Sequence, residues 1–240
     1  MASVRSYTEE IYKTYTVPKH RLGSIIETPD GRQFRFTLNG AVALAAARLV
    51  QSTVPAANHL NIAVAAAVAV GAKVITATLG ATAAAKDLYK DGYVYVNDAA
   101  GEGHLYRIKT HEAVASAGVI TLTLYEDSPV VVALTTASEI TLIRNPFSGV
   151  LIHDSPPTAP LAGVTLVAVA AAAYCWLQTR GPAAVLTQGT LVIGDLCVPS
   201  ATVDGAVMPS AAIETDGPIV GHVMAVNADT EQSLINLVLP

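Results

Sequence analysis

The chain is predicted to be all-β, with two sandwich-like or barrel-like domains of mostly antiparallel strands and little helix. Three observations predict this. Stretches such as Arg32 to Leu38, Lys73 to Leu79 and Gly118 to Tyr125 alternate polar with apolar or β-branched residues, the period of a half-buried strand. Turn signals such as Pro29-Asp30-Gly31, Asn39-Gly40 and Gln188-Gly189 punctuate those stretches at short intervals. Ala and Val, more than Leu and Phe, supply the 52% hydrophobic content, which suits thin, closely apposed sheets.

Residues 1 to 20 are polar and Tyr-rich and read as an N-terminal arm, with Tyr7, Tyr12 and Tyr15 as candidate aromatic anchors. Gly23 to Thr28 and Arg32 to Leu38 then form a hairpin about the Pro29-Asp30-Gly31 turn. Ala41 to Gln51 fits a strand or a helix, and strand is favoured. Asn61 to Val70 and Lys73 to Leu79 look like a second hairpin, and Ala81 to Leu88 like one short helix or a polar connection. Tyr93 to Val96 and Leu105 to Ile108 flank a Gly-rich loop. Gly118 to Tyr125, Val130 to Leu134 and Glu139 to Ile143 continue the strand series up to Asn145-Pro146.

The Pro-rich stretch Ser155 to Gly163 has no period and marks the expected boundary, so residues 21–157 form an N-terminal β domain and residues 158–240 a barrel-like C-terminal one. The second domain is read around Tyr174 to Ser200, as short strands over Tyr174 to Thr179, Ala183 to Leu186 and Leu191 to Ile193, with Leu196 to Val198 after them. Met208 to Thr215 passes through Pro209, Asp216-Gly217-Pro218 turns, and Ile219 to Val226 and Ser233 to Leu239 complete the sheet.

Charged residues are only 14% of the chain, against roughly 25% in an ordinary globular domain, so much of the surface is uncharged or covered by partners. A net charge of −5 with scattered Lys and Arg offers no footprint for nucleic acid. The longest apolar runs fall short of the ~20 residues of a membrane helix. Met1 to Glu10 has no apolar core of the length a secretion signal requires, so cytoplasmic folding is expected. Cys175 and Cys197 sit in apolar runs without metal spacing and read as two buried free thiols, with a disulfide as the alternative.

The six histidines show no zinc spacing, and neither a nucleophile elbow nor a phosphate loop is present. No catalytic, cofactor or metal residue is therefore assigned, and the chain is read as a non-enzyme. Asn97, Asp98, Glu102 and His104 bring ligand-type groups into one loop, which raises Ca²⁺; a polar loop bonding its own backbone is the commoner outcome. Asp195, His222 and Thr187 form a trio of the kind any β domain of this size supplies by chance.

The ordered motifs Gly92-Tyr-Val-Tyr-Val-Asn-Asp-Ala-Ala-Gly-Glu-Gly-His-Leu-Tyr-Arg-Ile-Lys109, Ile143-Arg-Asn-Pro-Phe147, Tyr174-Cys-Trp-Leu-Gln-Thr-Arg-Gly-Pro-Ala183 and Val220-Gly-His-Val-Met224 resemble the head decoration, or cement, proteins of tailed bacteriophages. The resemblance runs from about residue 20 to the C-terminus. It implies a β-rich subunit, often a homotrimer, made in the host cytoplasm and bound on the outer capsid surface at junctions of the major capsid protein, with no catalytic residues. Two other readings stay open: a phage tail, fibre-base or host-surface binding protein, and a β-fold cell-wall hydrolase needing carboxylates such as Asp98, Glu102 or Asp195.

Overall fold

The computed structural model describes residues 9–210 and 217–239. Among the described residues sixteen strands carry the fold: β1 (Ile25–Glu27), β2 (Gln33–Asn39), β3 (Leu49–Gln51), β4 (Ile62–Ala63), β5 (Val74–Thr78), β6 (Tyr93–Asp98), β7 (Leu105–Thr110) and β8 (Val119–Leu124), then β9 (Glu139–Ile143), β10 (Ser148–Ile152), β11 (Leu161–Thr165), β12 (Tyr174–Leu186), β13 (Leu196–Pro199), β14 (Val207–Pro209), β15 (Gly221–Ala225) and β16 (Gln232–Val238). The only helical elements among the described residues are two 3-10 turns, Glu10–Tyr12 and Ala57–His59, so the predicted all-β class is what the chain forms.

The division of the chain differs from the expected one. One compact unit comprises residues 1–54 and 146–240, and the other is the intervening stretch 55–145. The Pro-rich stretch at 155–163 is not a linker, because β10 before it and β11, which takes up its last residues, both pair with β3, Leu151 and Leu161 each lying opposite Gln51. The buried Gln51 amide fixes that connection by donating to Asp154 Oδ2 (3.0 Å) and Thr158 Oγ1 (2.8 Å), while its carbonyl accepts from the Thr158 N–H (3.1 Å). The irregular sequence is ordered by a side chain about a hundred residues away, which no local pattern announces.

In the inserted unit the strands run β4-β9-β6-β7-β8-β5, and the bridge from Val64 to Ala77 joins the two ends into a nearly closed barrel. The hairpin over 93–108 forms as expected, as β6 and β7. The hairpin expected over Asn61 to Leu79 does not: β5 pairs along its length with β8 and meets β4 mainly at that single bridge. Alternation places Val94, Val96, Ile108, Ile120, Leu122, Ile140 and Leu142 inside, all fully buried.

The other unit is organised around β12. Gly181-Pro182 does not break it, so the two short strands expected over Tyr174 to Leu186 are one strand of 13 residues. Its first half closes a ring, β2-β10-β3-β11-β12, through the pairing of β12 with β2. Its second half pairs with β16 and enters a second ring, β12-β16-β15-β13-β14, closed by the parallel bridge from Thr187 to Val207. Leu191 to Ile193, expected as a strand, belongs instead to the turn before β13, whose backbone bonds include Gly194 N–H to Val223 O. The Ala211 to Asp216 part of the expected Met208-to-Pro218 stretch lies outside the described residues.

Six eight-residue segments share one course: 41–48, 65–72, 81–88, 111–118, 131–138 and 166–173. Each has Ala at its third position and a single bridge residue at its fourth, here Leu44, Val68, Ala84, Val114, Leu134 and Val169. The bridges are nested along the chain, Leu44 with Val169, Val68 with Leu134, Ala84 with Val114, and each is a reciprocal pair of N–H to C=O bonds at 2.8 to 2.9 Å. The seventh residue turns the chain with positive φ at Ala47, Gly71, Asp87, Ala117 and Ala172. These arches replace the strand expected over Val130 to Leu134 and all but the last residues of that expected over Ala41 to Gln51, where β3 forms, and they stand where one short helix or a polar connection was expected over Ala81 to Leu88.

Candidate functional site

The first half of β12 is buried on both faces. Cys175 and Leu177 point into the first ring with Val50, Val150 and Val169, while Trp176 points outward beside its register partner Phe36. That outward face carries Phe34, Phe36, Tyr174 and Trp176, and an aromatic layer of this size needs a cover. The arm supplies it. Ile11 is 1% exposed, and Tyr15 and Tyr174 exchange backbone bonds at 2.8 and 2.7 Å. The Tyr15 ring lies 6.2 Å from that of Phe36, its hydroxyl donates to Glu10 (2.9 Å), and burial with that carboxylate pushes its pKa up to about 12. The His20 ring is 5.2 Å from those of both Phe36 and Trp176.

Of the three arm tyrosines, Tyr15 therefore serves its own chain, Tyr12 is 47% exposed, and Tyr7 lies outside the described residues. A shallow cleft of about 130 Å³ beside Tyr12 and Arg32 is smaller than the roughly 300 Å³ at which small-molecule pockets begin. A second cleft, of about 370 Å³, is bordered by Thr110, His111 and Thr121, but the imidazole there is already engaged on both nitrogens.

The polar groups singled out in the sequence do not converge. In the loop between β6 and β7, the Ala99 N–H donates to Asp98 Oδ1 (2.7 Å), His104 Nδ1 donates to Gly101 O (2.9 Å), and Glu102 points to solvent. The loop thus bonds its own backbone, and Asn97 turns instead to Asn61 and Thr141. Among the described residues no three His, Cys, Asp or Glu side chains are placed to hold a metal ion. Asp195 is exposed in the turn before β13 and His222 is exposed on β15, where Leu196, not Asp195, is opposite it, while the Thr187 hydroxyl is buried against the Val185 carbonyl. The trio has no shared hydrogen bond.

A buried polar cluster that sequence reasoning missed lies in the inserted unit. Tyr89 OH donates to His59 Nδ1, so His59 Nε2 carries the proton it donates to Thr82 O (2.8 Å). The Tyr89 N–H donates to His111 Nε2 (3.0 Å), so His111 Nδ1 carries the proton it donates to Glu112 O (2.8 Å). Both imidazoles have both ring nitrogens hydrogen-bonded, and the cluster joins the arches at 81–88 and 111–118 instead of presenting a reactive group. His59, Tyr89 and His111 are separated by 30 and 22 residues, so no local spacing marks them.

Asp87 belongs to the same pair of arches. It accepts from the Thr110 hydroxyl (2.6 Å) and the His111 N–H (3.2 Å), and the Thr110 bond holds its pKa below the usual carboxylate value against the opposing effect of burial. A depressed folded-state pKa contributes stability that is present above the unfolded value of about 3.9 and lost as pH falls through the folded one. Asp87→Asn is expected to cost about 1 kcal/mol at pH 7, with the gap to wild type shrinking below about pH 4, in urea unfolding at the two pH values. Asn suits the positive φ of 58°, so backbone strain does not confuse the reading.

Cys175 and Cys197 are unpaired and buried, 1% and 0% exposed, and burial pushes both thiols up to about 12. Neither supplies thiolate at neutral pH. A thiol reagent is expected to label neither in the native protein and both after denaturation; rapid native labelling would contradict the packing of β12 and β13. Comparison with known proteins found no matching family model, no similar curated protein and no similar solved structure.

Proposed function

We propose that the chain is a structural virion protein that binds the outer surface of a phage capsid and holds neighbouring major capsid proteins together against the pressure of packaged DNA. The observation that carries this reading is the surface of the arches. In the bridged pair 65–72 and 131–138 the buried bridge residues Val68 and Leu134 are flanked by exposed Ala66, Ala67, Val70, Val131 and Val132, and neither segment contains a charged residue. Burying a charge costs several kcal/mol unless it is paired, so a charge-free loop surface is covered by a partner at little desolvation cost. Association by such surfaces needs no reactive centre, in keeping with polar groups that bond only their own scaffold. The resemblance of the strand and turn motifs to decoration proteins supplies the partner.

The reading is tested by cosedimentation with capsids assembled without this protein. Saturable binding is expected, and Val70→Asp with Val131→Asp, both at exposed positions, weakens it at least tenfold while thermal unfolding stays unchanged. Binding that is absent, or indifferent to both carboxylates, refutes it.

A further inference from the structure

A second arch pair repeats the surface on which the capsid reading stands. In segments 41–48 and 166–173 the bridge residues Leu44 and Val169 are buried, and around them Val42, Ala43, Ala45, Ala46, Ala170 and Ala171 are exposed. Val42, at 73%, is the most exposed large apolar side chain among the described residues. The two segments contain no acid, and their one cation, Arg48, stands at the end of the first. The pair is also held in shape. The buried Asn39 amide donates to Val42 O and Ala170 O, both at 2.9 Å, so little ordering cost is left for binding.

The third pair shows that the backbone course does not require this composition. Segments 81–88 and 111–118 are bridged in the same way and have the same Ala at the third position, yet they carry Lys86, Asp87 and Glu112, and Lys86 Nζ donates to Glu112 Oε1 (2.9 Å) on the surface. Charge is thus compatible with an arch and is kept off the exposed turns of the other two pairs. Surfaces alike in backbone course and in side chains are complementary to the same partner surface. Size points the same way. Twelve residues are exposed in the pair 65–72 and 131–138 and nine in the pair 41–48 and 166–173, each short of the roughly 20 to 30 a side of a standard interface, whereas together they reach it.

We infer that the pair 41–48 and 166–173 is a second capsid contact, which takes on one copy of the major capsid protein the same surface that the pair 65–72 and 131–138 takes on a neighbouring copy. The inference rests on the capsid reading and names the two contacts by which one chain joins two shell subunits. Each contact alone is weak. Because both belong to one chain, the second forms intramolecularly once the first is made, and the overall affinity exceeds that of either.

DNA-filled capsids that lack the protein supply the test. Val42→Asp with Ala170→Asp, both at exposed positions, is expected to weaken binding at least tenfold with thermal unfolding unchanged. At concentrations that fill the sites again, this variant holds only one subunit, so DNA is expected to be released at the temperature of bare capsids. Lys86→Ala with Glu112→Ala is expected to keep wild-type affinity and the wild-type gain in release temperature. Wild-type affinity of the Val42 and Ala170 variant, or a full thermal gain at full occupancy, overturns the second contact, and the capsid reading still stands if Val70→Asp with Val131→Asp weakens binding. Weakened binding of the Lys86 and Glu112 variant also overturns it, because a charged arch pair would then serve as well. Wild-type protein that does not bind these capsids overturns both the inference and the reading beneath it.

Discussion

Trp176→Ala is expected to destabilise the protein by about 4 kcal/mol, the largest effect of any single truncation in the unit that carries the arm. The indole is 2% exposed, sits 5.1 Å from the Phe36 ring, and is the residue on which arm and sheet converge. Deleting it leaves a cavity bounded by Ile11, Ile26 and Phe34, which are held from different directions and cannot all collapse inward. Urea unfolding followed by far-ultraviolet circular dichroism gives the number. Trypsin gives the structural consequence, because an arm that has lost its support is cut faster after Lys13 and Lys19. Trp176→Phe separates packing from hydrogen bonding: the indole N–H is buried with no acceptor among the described residues, so losing it removes an unmet donor, and the cost falls to about 1 kcal/mol. A Trp176→Ala variant within about 1 kcal/mol of wild type would show that the aromatic layer does not hold the arm.

Gly92→Ala is the corresponding prediction for the inserted unit, with an expected cost above about 3 kcal/mol. Gly92 immediately precedes β6, and a Cβ there would lie 2.3 Å from Ile143 O and 2.9 Å from Asn145 N. Both are backbone atoms, so relief requires β9 to move away from β6 and the β6–β9 register to be disturbed. The control is Gly103→Ala in the neighbouring loop. Its φ of +82° carries the strain of a left-handed residue but its surroundings are open, so about 1 kcal/mol is expected. Native-state hydrogen exchange at Val94 and Leu142 distinguishes the two, since only Gly92→Ala is expected to expose those amides.

The strands bounded by strong turns were legible in the sequence. Pro29-Asp30-Gly31 and the glycines of the 97–104 loop name their own turns, and β8 alternates without interruption. The arches were not legible for a physical reason. Their turning residue is Ala at 47, 117 and 172, and nothing in an Ala side chain announces positive φ, so Ala41 to Gln51 imitates a strand and Ala81 to Leu88 a helix. The recurrent Ala at positions 43, 67, 83, 113, 133 and 168 was a visible signal of internal repetition. The division into units was hidden differently: β3 and β10 flank the whole inserted barrel, and only their pairing in space shows that residues 55–145 interrupt another unit.

No local pattern placed a site: low charge raised only the expectation of surfaces covered by partners, and the arches at 65–72 and 131–138 expose Ala and Val with no charged residue. The arm was expected to reach outward with three tyrosines, yet Tyr15 is part of its own aromatic layer, because the apolar face of β2 and β12 lies within reach of the arm and has no other cover.

The most direct measurement is DNA retention by filled capsids heated with and without the protein bound. A clamp across capsid subunits predicts that decorated particles release their DNA at a higher temperature, with the gain saturating when the binding sites are full and vanishing for Val70→Asp with Val131→Asp. Release at the same temperature with the sites filled, or no binding at all, would contradict the account.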